Sequence, residues 1–506
     1  MREPCSIEEN EDVSEMKVPH KDWEVSDDVR DSTSEDDLHI DRAEEKRLVR
    51  KLDMRLFPIL MLLYVMAFLD RVNIGNARLF HLEADLGLKG DDYQLCVSLL
   101  FVTYIIIELP ANLFLKKLGP RNFIPFAATA WGLIGMCAGF VQNKGGLIAV
   151  RLLLGAAEAG YFPSVCFYLS FWFRRRELGV RIFFLFIASA ISGSCGGLLA
   201  YAIGHMDGIA GYHAWRWLMI LEGLPTIFLG VIAYFILADD PMSASWLTDR
   251  EKELSRIRLH RDKTLLGSDE QSGRIQWDEI MKGVKDWKVW VFSIAQLGTT
   301  LMLYGYSTFL PTIISGLGYS AIDVQLLTIP CYACGAIVYC IVAYFSDKIG
   351  QRGIFAVGGC LVASTGYAIL LGTTKYGAGA QYAGCVVVAA GLYVSVGIGL
   401  TWMPNNIPSH YKRAFANGLL FMLSNLGGVI SSYIYRTQDA PVYTLGHAVM
   451  LGFVTSTAII LTAMSFVLRR ENQKRDRGER DYLLEGKTEE EVAKLGDKHP
   501  HYRYMY

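Results

Sequence analysis

Long apolar segments alternate with short polar connections along most of this chain. A helix rises about 1.5 Å per residue, so about 20 consecutive apolar residues can cross the hydrocarbon core of a bilayer. Six segments of that length come first, at about 54–76, 93–115, 122–141, 146–173, 180–204 and 215–237. Six more follow, at about 288–315, 323–345, 354–373, 380–402, 413–435 and 446–468. The pattern predicts an all-α membrane protein with twelve transmembrane helices in two six-helix halves.

Polar stretches divide this pattern into domains. We predict an N-terminal half at 53–238 and a C-terminal half at 287–468, joined by a charged cytoplasmic linker at 239–286. Residues 1–52 are acidic and polar and lack apolar periodicity, so we predict a disordered tail with no cleavable signal peptide. A second cytoplasmic tail occupies 469–506.

The composition is that of a polytopic membrane protein. The chain has 506 residues, 52% of them hydrophobic, and a mean hydropathy of +0.26. Its net charge of -2 hides a strong segregation of charge and gives no support for nucleic-acid binding. Ten cysteines are scattered, and most are expected to be small buried hydrophobes. Cys331 and Cys334 form a single CxxC without a second pair or a nearby histidine, so we predict no metal and no cofactor.

The charge of the loops predicts the orientation in the membrane. Short cytoplasmic loops collect Lys and Arg. If the N-terminus is inside, the cytoplasmic loops hold eleven such residues and the outer loops hold six. This asymmetry favours a cytoplasmic location for both termini.

Two charged residues lie inside the fourth apolar segment. Arg151 and Glu158 are seven residues apart, which at 3.6 residues per turn places them on one helix face, about 10 Å apart along the axis. Burying either charge in hydrocarbon costs several kcal/mol, so this face must line a protein interior or a watery cavity. On the wall of a cavity, the cation could bind an anionic substrate and the titratable acid could bind a proton. A structural ion pair between helices is the alternative.

A second charged pair, Asp70 and Arg71, lies near the outer end of the first segment. Asp70 is about 24 Å along a helix that starts inside near Met54, and Arg151 is about 8 Å below the outer surface on a helix that runs the other way. Asp70, Arg71 and Arg151 therefore share a depth, with Glu158 about 10 Å deeper. Two guanidinium groups at one depth suit bidentate binding of a carboxylate. The alternative for Asp70 and Arg71 is a pair at the helix end.

Several motifs extend over nearly the whole chain. They are FLDRVNIGNA at 68–77, IELPANLFLKKLGPR at 107–121, RLLLGAAEAGYFPS at 151–164, WRWLMILEGLPT at 215–226, NLGGVISSYIY at 425–435 and LGDKHPHYRY at 495–504. Together they resemble the major facilitator superfamily, and more narrowly its anion:cation symporter family in the fungal allantoate, nicotinate and vitamin permease branch. The resemblance implies the major facilitator fold and proton-driven uptake of an organic anion. It assigns Asp70 and Glu158 to proton coupling, and Arg71 and Arg151 to the anion.

Matching turns after the second and eighth segments, LFLKKLGPR and YFSDKIGQRG, indicate an internal repeat. The resemblance implies an intracellular gate at these turns, formed by Lys116, Lys117, Arg121, Asp347 and Arg352. Lys116 and Lys117 stand where the wider superfamily often has an aspartate, so we expect Asp347 to hold the gate.

Uncharged polar residues are the candidates for the rest of the substrate site. Gln296 and Tyr304 belong to a polar stripe in the seventh segment, and Trp402 and Asn405 close the tenth. Tyr104 in the second segment and Asn425 in the eleventh complete the predicted substrate contacts; each could instead make interhelical hydrogen bonds. Glu108 and Glu222, also within apolar segments, are interpreted as structural or protonated groups.

The sequence thus predicts a secondary active transporter that takes up a small organic anion by proton symport. The substrate would be a monocarboxylate such as nicotinate, allantoate or a related vitamin, and the protein a monomer in the lipid bilayer of the plasma membrane. A transporter-like nutrient sensor, or a uniporter or exchanger of organic anions, is the alternative. An enzyme is disfavoured, because the apolar segments contain no HExxH, GxSxG or histidine cluster.

Overall fold

Long helices occupy the predicted spans in a computed structural model of the chain. The structure describes residues 41–264, 277–488, 492 and 495–506. The predicted disorder of residues 1–40 and the middle of the linker fall outside this described part. The chain divides into two compact units, Met1–Leu48 and Val49–Tyr506, and every described helix except the start of the first lies in the second unit.

The N-terminal half contains one short helix, α2, in addition to the helices that form its spans. Its helices are α1 Arg42–Leu79, α2 Leu82–Asp85, α3 Asp92–Leu118, α4 Pro120–Ala138, α5 Lys144–Glu158, α6 Tyr161–Ser170, α7 Arg175–Gly204 and α8 Ala214–Ile236. The linker contributes α9 Asp249–Thr264 and α10 Trp277–Lys285. The C-terminal half follows with α11 Trp287–Ser315, α12 Ala321–Ile349, α13 Gly353–Gly372, α14 Ala378–Asn405, α15 His410–Ser431 and α16 Thr444–Asp476.

The described helices account for all twelve predicted spans. Nine segments of the described chain are long and apolar enough to cross a membrane, with α5 and α6 taken together as one. The other three spans correspond to α3, α4 and α11, which have 27, 19 and 29 residues. Helix α1 begins twelve residues before the predicted start of its span, at Arg42 rather than at about 54.

The fourth span is broken, although its apolar pattern predicted one continuous helix. Helix α5 ends at Glu158 and α6 begins at Tyr161. Pro163 has no amide hydrogen to donate to the carbonyl of Ala159, so the hydrogen-bond ladder is interrupted at this point. A Cβ on Gly160 would lie 2.7 Å from the Cβ of Ala111 on α3, so the break also brings this segment against its neighbour. The interruption comes directly after Glu158, the acid of the predicted charged face.

The two linker helices pack on different halves. Helix α9 pairs with the N-terminal half through Glu251, 2.7 Å from Lys51, and through Arg258, 2.7 Å from Glu177. Helix α10 contacts the C-terminal half, where Ser409 donates a hydrogen bond to Glu279 at 2.6 Å. We call the end of the bundle that carries these helices the tail side, and the opposite end the far side.

The C-terminal segment, residues 495–506, folds back onto the tail side of the C-terminal half. Asp497 is buried and pairs with Lys412 at 2.8 Å and with Lys288. The indole of Trp402 donates to the carbonyl of Met505 at 2.9 Å, and Arg475 donates to the carbonyl of Tyr502 at 2.8 Å. These contacts join the tail-side ends of α11, α14, α15 and α16.

We expect Asp497→Asn to destabilise the protein in a pH-dependent way. Burial disfavours the charged form of Asp497, but Lys288 and Lys412 outweigh it and hold the pKa at about 2, below the ordinary 3.8. Because folding lowers this pKa, the stabilisation is complete above about pH 4 and is lost as the pH falls towards 2. A difference of this size corresponds to about 2 kcal/mol of unfolding free energy at neutral pH.

Thermal unfolding in detergent at pH 7 measures this effect. Asp476→Asn is the matched control, since its carboxylate pairs with Arg503 of the same segment at 2.9 Å but is 61% exposed. An exposed pair contributes about 0–1 kcal/mol, so this variant should unfold close to the wild type. Equal losses in the two variants would contradict a special role for the buried pair.

Candidate functional site

Helix α5 presents a buried face that carries both predicted charges. The helix begins at the cap residue Asn143, whose side chain accepts a hydrogen bond from the amide of Gly146 at 2.9 Å. The buried positions on α5 are Leu147, Arg151, Leu154, Gly155 and Glu158. Their spacing follows the helical period, so Arg151 and Glu158 lie on one face, as the seven-residue separation predicted.

A close helix crossing positions this face. A Cβ on Gly155 would lie 2.2 Å from the carbonyl oxygen of Leu100 on α3, a distance that no side chain can occupy. Only glycine therefore allows α5 to approach α3 at this level. Glu158 lies three residues further along α5 and is completely buried.

Glu158 is paired with Arg71 of α1. The Nε of Arg71 donates to Oε2 of Glu158 at 2.6 Å, and the guanidinium carbon of Arg71 lies 4.6 Å from the ring centroid of Tyr104. The second carboxylate oxygen of Glu158 is buried and has no hydrogen-bond partner in the described chain. The sequence-based depths placed Glu158 about 10 Å below Arg71 and so did not predict this direct pair.

Arg151 and Asp70 form the other part of the cluster. Arg151 is 3% exposed, yet it makes no ion pair with any carboxylate that the structure describes. Asp70 is 8% exposed, and its Oδ2 is buried without a hydrogen-bond partner among the described residues. The two side chains interact electrostatically without direct contact. The cluster therefore contains one paired guanidinium, Arg71, and one that is buried and unpaired, Arg151.

A chain of polar contacts beside this cluster joins α3 to the C-terminal half, and Tyr304 in that chain interacts electrostatically with Arg71. Tyr304 donates to Asn425 at 3.3 Å, and Asn425 donates to Glu108 of α3 at 3.3 Å. The ring of Tyr304 also lies 4.5 Å from that of Phe101. Tyr104, Tyr304 and Asn425, three of the predicted substrate contacts, are thus brought near the charged residues. Their role in binding stays a prediction.

Three other predicted substrate contacts lie elsewhere. Trp402 is fully buried, and its indole donates to Met505 in the C-terminal segment. Asn405 is exposed, and its carbonyl accepts a hydrogen bond from Tyr502 at 3.1 Å. Gln296 donates to the carbonyl of Val396 at 3.4 Å, an interhelical bond within the C-terminal half. The structure does not bring these three side chains to the charged cluster.

Among the predicted gate residues that can be described, Asp347 and Arg352 pair within the C-terminal half, and Arg121 contacts the first residue of the predicted linker. Asp347 pairs with Arg352 at 2.9 Å, and both residues belong to the C-terminal half. The amide of Arg121 donates to Asp239 at 3.1 Å, and Lys117 is exposed. The side chain of Lys116 lies outside the described part of the structure. Gating by these residues remains a prediction.

Contacts between the halves are close on the far side of the cluster. A Cβ on Gly75 of α1 would lie 2.2 Å from the carbonyl oxygen of Thr308 on α11. Ser98 and Tyr433 share a hydrogen bond of 3.1 Å, and Arg78 donates to Thr437 at 3.2 Å. These contacts close the two halves against each other on that side.

Glu222 of α8 is a buried acid, and the sequence predicts it to be a structural or protonated group. It is 2% exposed, and neither carboxylate oxygen has a hydrogen-bond partner in the described chain. It interacts electrostatically with Asp70. Its position in the middle of an otherwise apolar span was the only signal in the sequence.

The sequence is similar to known membrane transporters. The profile described as Major Facilitator Superfamily matches residues 60–432. A protein of Schizosaccharomyces pombe named as an uncharacterised transporter is 38% identical over 87% of this chain and 87% of its own length. The high-affinity nicotinic acid transporter of Saccharomyces cerevisiae is 33% identical over 91% of this chain and 85% of its own length.

Solved structures share the arrangement of helices. A bacterial homologue of the human lysosomal transporter Spinster has a TM-score of 0.63 and 15% identity, covering 85% of this chain and 97% of its own. The xylose transporter XylE from E. coli has a TM-score of 0.62 and 15% identity, covering 82% of this chain and 98% of its own. At such low identity the structural similarity is evidence for the fold alone. It confirms the predicted fold of twelve helices in two halves.

Proposed function

This chain belongs to the Major Facilitator Superfamily, and on that premise we propose that it takes up a small organic anion in symport with protons. It is a multi-pass membrane transporter. In our proposal the tail side faces the cytoplasm, the protein acts as a monomer in the plasma membrane, and the two halves expose the charged cluster to each side in turn.

The observation that carries this proposal is the unpaired state of Arg151. A buried guanidinium without a carboxylate in direct contact is costly in a membrane interior, and a substrate carboxylate would supply that contact. The planar fork of Arg fits a carboxylate through two parallel hydrogen bonds. The similarity to a nicotinic acid transporter supports a monocarboxylate, and we extend the class to allantoate and related vitamins.

Proton coupling follows from the charges of the cluster. Arg71 and Arg151 carry two positive charges, and ionised Asp70 and Glu158 carry two negative charges, so the empty site is neutral. Adding one proton to either carboxylate leaves one net positive charge, which one monocarboxylate balances. Protonation and anion binding therefore favour each other, and the loaded site is neutral again.

The pair between Arg71 and Glu158 supplies a structural step for this coupling. The 2.6 Å contact directs the guanidinium of Arg71 to Glu158 in the empty protein. A proton on Glu158 would remove the charge that holds Arg71 there. Arg71 could then turn to the substrate beside Arg151, with Tyr104 still packed against it. Release of the proton on the cytoplasmic side would restore the pair and expel the anion.

We expect uptake to depend on the proton gradient. Cells that express the chain should accumulate labelled nicotinate or another monocarboxylate from a panel, and a protonophore should reduce accumulation to the level of cells without the chain. An unlabelled acid that is a substrate should compete with the label, whereas its amide should not. Concentrative uptake that persists with the protonophore would exclude proton coupling and favour an exchanger.

A further inference from the structure

Three segments of the N-terminal half converge on its far side with side chains that can bind a metal. His81 follows α1, Asp207 follows α7, and His213 directly precedes α8. One ligand atom from each residue lies within 4.8 Å of the others. His81 and Asp207 are exposed and His213 is partly exposed, so the group is open to solvent.

The distances within this group suit a shared ion. Nδ1 of His213 lies 3.3 Å from Oδ1 of Asp207. Two ligands about 2.1 Å from a tetrahedral zinc ion are about 3.4 Å apart, so this separation matches one edge of such a site. The ring of His81 lies 5.0 Å from that of His213, and a small rotation of its exposed side chain would bring a nitrogen to the same ion.

Neighbouring groups hold two of these ligands in place. Oδ1 of Asp85 lies 3.5 Å from Nε2 of His213, and Oδ2 of Asp85 accepts a hydrogen bond from the buried indole of Trp215 at 2.8 Å. The amide of Ala214 donates to Oδ1 of Asp207 at 2.7 Å. A carboxylate on the second nitrogen of a metal-bound histidine is the usual outer support of a zinc site, because it orients the ring.

We propose that His81, Asp207 and His213 form a binding site for a divalent first-row transition-metal ion such as Zn²⁺. Two imidazoles and one carboxylate select such ions over Mg²⁺ and Ca²⁺, which prefer oxygen ligands. Water would complete the coordination. The proposed site differs from the sequence-based prediction of no metal, which rested on the single CxxC of Cys331 and Cys334. All three ligands belong to the N-terminal half, so the ion would fasten its loops without joining the two halves.

Metal binding to the full-length protein in detergent tests this proposal. The protein should carry no polyhistidine tag, since such a tag would bind the same ions. We expect Zn²⁺ to raise the midpoint of thermal unfolding and Mg²⁺ at the same concentration to leave it unchanged. Co²⁺ should give the visible absorption of a low-symmetry site, and added Zn²⁺ should abolish that absorption.

Two variants and a control locate the site. His81→Ala and His213→Gln should each weaken Zn²⁺ binding at least tenfold. His205→Ala is the matched control, because His205 is exposed on the same side and its side chain hydrogen-bonds to the carbonyl of Tyr201 and packs against the ring of that residue. It should bind Zn²⁺ like the wild type. His81 makes no side-chain hydrogen bond among the described residues, so His81→Ala should fold even if His213→Gln does not.

Two results would overturn the proposal. The first is that wild-type protein shows no shift with Zn²⁺ and no Co²⁺ spectrum. The second is that His81→Ala retains wild-type affinity, because binding would then depend on other groups. Neither result bears on proton-coupled uptake, which the protonophore experiment tests separately.

Discussion

In proteoliposomes that contain the Glu158→Gln variant, we expect substrate counterflow to continue while accumulation driven by a proton gradient falls to background. Glutamine has nearly the volume of a protonated glutamic acid but cannot release a proton. Counterflow needs only that the loaded protein crosses between its two conformations, so it does not require Glu158 to lose its proton. Net uptake requires the empty site to return, and this step depends on deprotonation.

The structure makes Glu158→Gln a conservative change. Glu158 is completely buried, and the glutamine oxygen can still accept the hydrogen bond from Arg71. Arg151 and its surroundings are untouched, so the anion should still bind. The measurement compares efflux-driven exchange with uptake under an imposed pH difference in the same vesicle preparation.

Glu222→Gln is the matched control for this experiment. Glu222 is also a buried acid within a span, but no guanidinium pairs with it in the described chain. Its variant should keep proton-driven accumulation. If Glu158→Gln accumulates substrate normally, the coupling proton is bound elsewhere, and Asp70 becomes the candidate. If both variants lose accumulation, the coupling pair must be extended to Glu222.

Arg151→Lys should weaken apparent substrate affinity at least tenfold while the protein remains folded and in the membrane. Lysine keeps the positive charge but replaces the planar fork with a single ammonium group, so one of the two hydrogen bonds to a carboxylate is lost. A tenfold change corresponds to about 1.4 kcal/mol, which is within the range of one charge-assisted hydrogen bond. Initial rates of uptake over a range of substrate concentrations give the affinity.

Arg216→Lys controls for the general effect of this substitution on a partly buried arginine. Arg216 donates to the backbone carbonyls of Gly139 and Val141 at 3.0 and 2.7 Å, away from the charged cluster. Its variant should transport with wild-type affinity. If Arg151→Lys also keeps wild-type affinity while Arg151→Ala fails to reach the membrane, Arg151 is a structural residue and the proposed anion site is wrong.

The sequence was sufficient for features that depend on local periodicity. The twelve spans follow from apolar length, and the shared face of Arg151 and Glu158 follows from their separation within one helix. The break before Tyr161 was missed because apolar residues continue through it. Its cause is the backbone of Pro163, which hydropathy does not register.

Contacts between segments that are far apart in the sequence could not be predicted from the local pattern of residues. The pair between Arg71 and Glu158 depends on how α1 and α5 are placed side by side, and depth along separate helices cannot supply this. Trp402 was predicted as a substrate contact because it is an uncharged polar residue that closes the tenth apolar segment. Its partner is Met505, and a contact over this sequence separation depends on the path of the folded tail.

The two linker helices pack on different halves, so the distance between them should change when the halves move. Because α9 is fastened to one half by ion pairs and α10 to the other by hydrogen bonding, each linker helix must follow its own half as a rigid extension. The separation of α9 and α10 then varies with the angle between the halves. Two spectroscopic labels on the tail side, one on each linker helix, would report movement between the halves as a change in the distance between the labels, with no probe placed in the membrane or near the substrate.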